Sequence, residues 1–120
     1  DFSKKHYTED IAKRRGKKVR DLLLDYIVLG PIVVMVVEGV DAIENVRKLC
    51  GDTESKSAVP GTIRGDFSHV SYKYADEKEI AVKNLVHASG NKEDAKNELA
   101  LWFSVDELHS YRRADEEHIL

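Results

Sequence analysis

Cysteine is almost absent from this chain of 120 residues: Cys50 is the only one. An intrachain disulfide is therefore excluded, and so is any zinc framework built on paired thiolates. Cys50 reads as a small buried hydrophobe in a protein of a reducing compartment. Long apolar runs are missing too. The longest, Pro31 to Val37, is far too short to span a bilayer, and "DFSKKHYTED" lacks the basic-then-apolar order of a secretory signal. The expectation is a cytoplasmic protein with no membrane partner. Internal repeats, low-complexity tracts and linkers are also lacking, so residues 1–120 are expected to form a single domain.

Neither sign of charge dominates, since 19 Lys and Arg stand against 22 Asp and Glu, for a net charge of -3. An N-terminal stretch, "KKHYTEDIAKRRGKKVR", is nevertheless basic. It carries no interleaved aromatics of the kind that stack on bases, so a solvated helix face is the favoured reading and nucleic acid an unlikely partner. At 42% hydrophobic and 34% charged residues, the composition is that of an ordinary globular domain.

Periodicity then divides the chain. Val19, Leu22, Leu23, Tyr26 and Ile27 recur at helical spacing ahead of Gly30 and Pro31, which predicts an amphipathic helix over 17–29. "IVVMVVEG" is β-branched and of strand length, and is expected to be a central strand covered on both faces. Asp41 is the expected cap of a helix with Glu44 completing a capping box, and with Ile43, Val46, Leu49 and Cys50 on its buried face before Gly51 stops it. From Asp52 to Asp76 apolar periodicity vanishes, and a loop of that length suggests function. Val82 to His87 is the next expected strand. Asn91 is suited to cap a helix that stacks Ala95, Leu99 and Trp102, and 104–108 reads as a short capped turn.

Chemistry concentrates at "VKNLVHASG", where an apolar run ends on His87 and the next residues are too small to cover its ring. A histidine that accepts a phosphoryl group needs an open ring nitrogen, a group that fixes its tautomer, and cations or hydroxyls for the donor's phosphates. Glu98 lies on the following helix, within reach directly or through Ser89. Arg47, Thr53 and Arg64 offer two guanidinium forks and a hydroxyl, and Asn84 suits a sugar hydroxyl. Singly, each has a plainer reading: Arg47 as a helix C-terminal cation, Thr53 as a turn residue, Arg64 as an ion pair with Asp66, Glu98 as helix surface. A zinc site from His69, His87, His109 and His118 is not expected, because their spacings fit no zinc pattern.

The blocks "GPIVVMVVEG", "VRKLCGDT", "PGTIRGDF", "NLVHAS" and "ELALWF" follow in one order from Gly30 to Phe103, and in this the chain resembles the nucleoside diphosphate kinases. The resemblance implies an α+β fold with a ferredoxin-like antiparallel sheet covered by helices. It implies a ping-pong transfer of the γ-phosphoryl group from a nucleoside triphosphate such as ATP, with Mg2+, to a nucleoside diphosphate through phosphorylated His87. By the same resemblance Ser89 and Glu98 are orienting partners, Tyr7 is the catalytic-site tyrosine close to the histidine, Arg47, Thr53 and Arg64 are phosphate contacts, and Asn84 is a ribose neighbour; a homo-oligomer, commonly a hexamer, is implied as well.

The differences from the family pattern carry expectations of their own. The family's first strand, with its "IKPDA"-like lysine motif, and the helix and strand after it have no counterpart in these residues, so the sheet is expected to lack its first strands. That first strand lies in the family between those matching 32–37 and 82–87. Val19 stands where the family usually stacks an aromatic on the base, and "SHVSYKYADEKEIAV" is longer than the common loop, offering Tyr72 and Tyr74 as covers for the base or as plain surface packing. Asn91 replaces an aspartate after the histidine motif. The alternative to the enzyme is a non-catalytic nucleotide-binding or assembly module of the same fold.

Overall fold

The computed structural model describes residues 2–119. Helices α1 (Phe2–His6) and α2 (Glu9–Arg15) lead into α3 (Lys17–Ile27), which ends two residues short of the expectation because Val28 already leaves helical geometry. Helix α2 packs on α3, and α1 packs on both α3 and α7 (Lys92–Trp102). Arg20 ties the corner: its Nε donates to the carbonyl oxygens of Tyr7 at 2.9 Å and Thr8 at 3.2 Å.

No β-strand is assigned among the described residues, which corrects the expected ferredoxin-like sheet. A strand is defined by a ladder, and neither expected segment has one. Residues 31–38 make no backbone hydrogen bond to any described residue. Their side chains are open rather than covered, with Val33 at 87% and Met35 at 71% exposure. In the second segment the backbone closes locally: Asn84 N bonds Val82 O at 3.0 Å, Val86 N bonds Asn84 O at 2.8 Å, and Leu85 takes φ 70°. Three-residue turns of this kind consume the groups that a ladder needs.

Helix α4 (Ala42–Cys50) forms as expected but without the capping box. Asp41 occupies the left-handed region, φ 48° and ψ 38°, and gives no side-chain cap, while Asn45 Nδ2 donates to Val40 O at 3.0 Å instead. Leu49, expected inside, is exposed; Cys50 is buried.

Residues 52–76 are not structureless. They hold a 3-10 turn at Ser55–Ser57, α5 (Ile63–Phe67) and α6 (Tyr72–Lys78). Short polar caps substitute here for apolar periodicity: Thr62 Oγ1 accepts from Gly65 N at 3.1 Å, and Ser71 Oγ accepts from Tyr74 N at 3.1 Å. Gly65 is obligatory, because a Cβ there falls 2.0 Å from Val59 O. Asn91 caps α7 through Oδ1 to Asp94 N at 2.9 Å, and Ser104 and Glu107 close the expected capped turn before α8 (Glu116–Ile119).

Candidate functional site

His87 sits in the irregular segment that follows the Leu85 turn, with its side chain 55% exposed. Arg64 places that segment. Buried at 7% exposure, it donates from Nη1 to Gly51 O at 2.7 Å, from Nε to Asn84 O at 3.1 Å and from Nη2 to Val86 O at 2.5 Å. One guanidinium thus joins the end of α4 to both sides of the Leu85 turn. Its fork has five N–H donors, so two remain for a ligand.

On the other side stands Glu98, projecting from the face of α7 that also carries Ala95 and Trp102, one turn before and after it. Its Oε1 lies 2.7 Å from His87 Nε2, and its Oε2 accepts from the Ser89 hydroxyl at 2.5 Å. Burial alone raises the Glu98 carboxyl, but the Ser89 hydrogen bond, the charge and hydrogen bond of His87 and the charge of His6 outweigh it and hold the group below its ordinary range. Glu98 is therefore ionised at neutral pH and only accepts. It follows that His87 Nε2 carries the proton, and in the neutral ring the lone pair lies on Nδ1. Among the described residues Nδ1 has no hydrogen-bond partner.

A polar pocket of about 240 Å3 opens beside this ring, lined by Arg47, Thr53, Arg64, Asn84, His87 and the unforeseen Asp94, among others. Four of the expected nucleotide contacts thus share one cavity with the histidine. Val19 on α3 does not line it, nor do Tyr72 and Tyr74 on α6. A larger groove of about 400 Å3, bordered by Ile43, Ala95, Leu99, Phe103 and Leu108, is apolar and holds no titratable group except lysines.

Besides Asp94, sequence reasoning missed His6. At the end of α1, its side chain is 8% exposed, its ring meets that of His87 edge-on at 4.7 Å, and its Nδ1 lies 3.8 Å from Glu98 Oε1. Tyr7 meets His6 edge-on, ring centroids 4.7 Å apart, so that the His6 ring contacts both Tyr7 and His87. Burial lowers the His6 imidazole, His87 adds to the effect and Glu98 partly offsets it. Burial likewise raises the Tyr7 phenol, with smaller contributions from Tyr26 and Glu98. The only sequence signal for His6 is its place beside Tyr7; the pairing with His87 is tertiary.

A histidine with an open nitrogen, a fixed proton on the other, and two guanidinium groups at one cavity is equipped to take and return a phosphoryl group. Comparisons agree. The sequence model described as "Nucleoside diphosphate kinase" matches residues 1–108. A nucleoside diphosphate kinase of Borreliella burgdorferi is 50% identical over 119 residues, which are 98% of this chain and 71% of that protein. One from Pyrococcus furiosus is 43% identical over 114 residues, 95% of this chain and 64% of the relative. The chain therefore spans roughly two thirds of the length of such relatives. Among solved structures, a transition state mimic of the Borrelia burgdorferi nucleoside-diphosphate kinase with bound vanadate and ADP superposes with a TM-score of 0.92 at 48% identity, covering 98% of this chain and 70% of that one. A Halobacterium salinarum nucleoside diphosphate kinase in complex with CDP gives 0.79 at 33% identity, covering 99% and 70%.

Proposed function

This chain belongs to the nucleoside diphosphate kinase family, a family of phosphotransferases, and we propose that its transfer of the γ-phosphoryl group runs through Nδ1 of His87. The observation that carries this reading is the Glu98 carboxylate. One oxygen is held by Ser89 while the other accepts from His87 Nε2, which leaves the nucleophilic lone pair on Nδ1 at the polar pocket.

In the first half-reaction the Nδ1 lone pair forms a bond to the γ-phosphorus of the triphosphate. The bond from that phosphorus to the β,γ-bridging oxygen breaks, and the diphosphate leaves with the electron pair. The ring becomes a cationic phosphoimidazole whose Nε2–H stays on Glu98, so the carboxylate opposes the new positive charge. In the second half-reaction a terminal oxygen of another nucleoside diphosphate attacks the phosphorus, the N–P bond breaks, and the ring recovers its lone pair. Arg47, Thr53 and the two spare donors of Arg64 hold phosphate oxygens in line, and Asn84 meets the sugar. Mg2+ would accompany the nucleotide, with Asp94 as the carboxylate in the pocket's lining available to it, and would supply neutralisation of the phosphates' negative charge.

We place this chain as a single cytoplasmic domain; no described helix is long and apolar enough to cross a membrane. We also infer a homo-oligomer, hexameric as the family resemblance implies. The open apolar surface of Ile32, Val33, Met35 and Val37 is of the kind that a neighbouring copy covers.

Intact mass after incubation with ATP and Mg2+ tests the site. One acid-labile phosphoryl group is expected on the native chain and none on His87→Ala. Labelling that persists in His87→Ala overturns the assignment.

A further inference from the structure

Three side chains from three separate elements converge at the end of α1: His6, His87 and Glu98 each offer a ligand atom within 4.8 Å of the other two. We propose that His6 Nδ1, His87 Nε2 and Glu98 Oε1 form a three-ligand site for a borderline divalent transition-metal ion, Zn2+ foremost, whose binding blocks phosphoryl transfer.

The donor set decides the class of ion. Two imidazoles and one carboxylate suit Zn2+ and its neighbours, whereas Mg2+ selects oxygen ligands and keeps its water. The site is thus distinct from the magnesium that travels with a nucleotide. Geometry agrees. Two ligands on a tetrahedral Zn2+ stand roughly 3.3 Å apart; Nε2 of His87 is 2.7 Å from Glu98 Oε1 and Nδ1 of His6 is 3.8 Å from it, which bracket that spacing, and the two imidazoles offer atoms within 4.8 Å of each other, a separation that a small rotation of the exposed His87 ring can adjust.

Supporting contacts fix the ligands as a metal site requires. Ser89 holds the second carboxylate oxygen at 2.5 Å, and the His6 ring neighbours those of Tyr7 at 4.7 Å and Trp102 at 6.2 Å. His6 is 8% exposed and Glu98 23%, while His87 at 55% leaves a way in and a fourth position for water. This is the open three-plus-one arrangement rather than a closed structural one.

The consequence for chemistry rests on the reading of His87 as nucleophile. A metal on Nε2 displaces the proton that Glu98 accepts and withdraws electron density from the ring. Nδ1 loses nucleophilicity, and the cationic phosphoimidazole must form beside a dication. Zn2+ should therefore inhibit, reversibly.

Two measurements on the full chain test this. Calorimetric titration with Zn2+ alone, in the absence of nucleotide, should give one site per chain, with affinity falling at least tenfold in His6→Phe, which keeps an aromatic ring against Tyr7 and Trp102. His6→Gln serves if the phenylalanine variant does not fold. Absence of a one-to-one site, or equal affinity in the folded variant, overturns the proposal, since exposed His69, His109 and His118 then suffice for whatever binding remains. In the second measurement, labelling from ATP and Mg2+ is followed with free Zn2+ set by a metal buffer. Labelling should stop as the site fills and return with chelator; unimpaired labelling at saturation overturns the block. If the chain is never labelled, the titration still reads the metal site, so failure of the phosphotransfer reading and failure of the metal site stay separable.

Discussion

Replacing Arg64 with alanine tests how the His87 segment is held in place. Its guanidinium makes three hydrogen bonds to backbone carbonyls at 2.5, 2.7 and 3.1 Å, and the side chain is 7% exposed. A hydrogen bond to a charged donor contributes about 1.5–3 kcal/mol. The three carbonyls lie in part-buried backbone that water can reach once the side chain is gone, and contributions within one network do not add, so the net loss is about 3–5 kcal/mol. At roughly 4 °C per kcal/mol for a chain of this size, Tm should fall by about 12–20 °C. Arg64→Lys should recover only a minor share, because one ammonium cannot span Gly51, Asn84 and Val86 together.

Thermal unfolding by circular dichroism, without nucleotide, is the appropriate assay. It separates the brace from any role of Arg64 in holding phosphate. A variant melting within about 3 °C of the native chain refutes the brace, because the Leu85 turn at φ 70° would then be stable without it.

Other outcomes follow from the same contacts. Gly65→Ala drives a Cβ to 2.0 Å from Val59 O, a backbone atom that cannot swing aside, and should cost more than about 2 kcal/mol; a denaturation midpoint equal to the native one refutes this. Asn91→Ala removes the cap of α7 and should cost about 1 kcal/mol, read as a Tm lower by about 4 °C. His6 titrates below 6.5 in the fold, so between that folded value and 6.5 the unfolded chain binds the proton that the folded chain refuses. Stability should therefore decline as pH falls through this window, and His6→Phe should flatten the decline, measured as urea midpoints; an unchanged slope refutes it. Glu98 titrates below 4.5 in the fold, so its stabilising share is complete above 4.5 and lost as pH falls through its folded value; Ser89→Ala should move that acid limb to higher pH in the same midpoints.

That much of the candidate site would come together was legible in the sequence because its signals are local. Glu98 reaches both His87 and Ser89 across eleven and nine residues, a span bridged by one loop and one helix, and Asn91 caps that helix as its position implied. Arg47, Thr53, Arg64 and Asn84 stand out by residue type and order, and the fold brings them to one pocket. What was not legible depends on partners distant in the chain. The β-branched run over 32–37 has strand propensity, but propensity does not make a ladder, and these residues bond to no described neighbour. Leu85 at positive φ is not visible from residue type, because leucine rarely adopts it. His6 meets His87 across the α1–α7 packing, and helical periodicity says only which face is apolar, not what that face meets.

With no ladder among the described residues, the His87 segment takes its position from two charged side chains. Arg64 grips the backbone on the N-terminal side of the histidine, through Asn84 and Val86, and Glu98 grips the ring itself. A ladder would fix the backbone through many weak, interchangeable bonds, whereas here two residues carry the placement and each also has a task in the proposed chemistry. Loss of either should therefore lower stability and transfer together. Placement by Glu98 has a further consequence: its Oε1 meets His87 and lies beside His6, so the oxygen that orients the proposed nucleophile is also the one a metal ion in the proposed site would take.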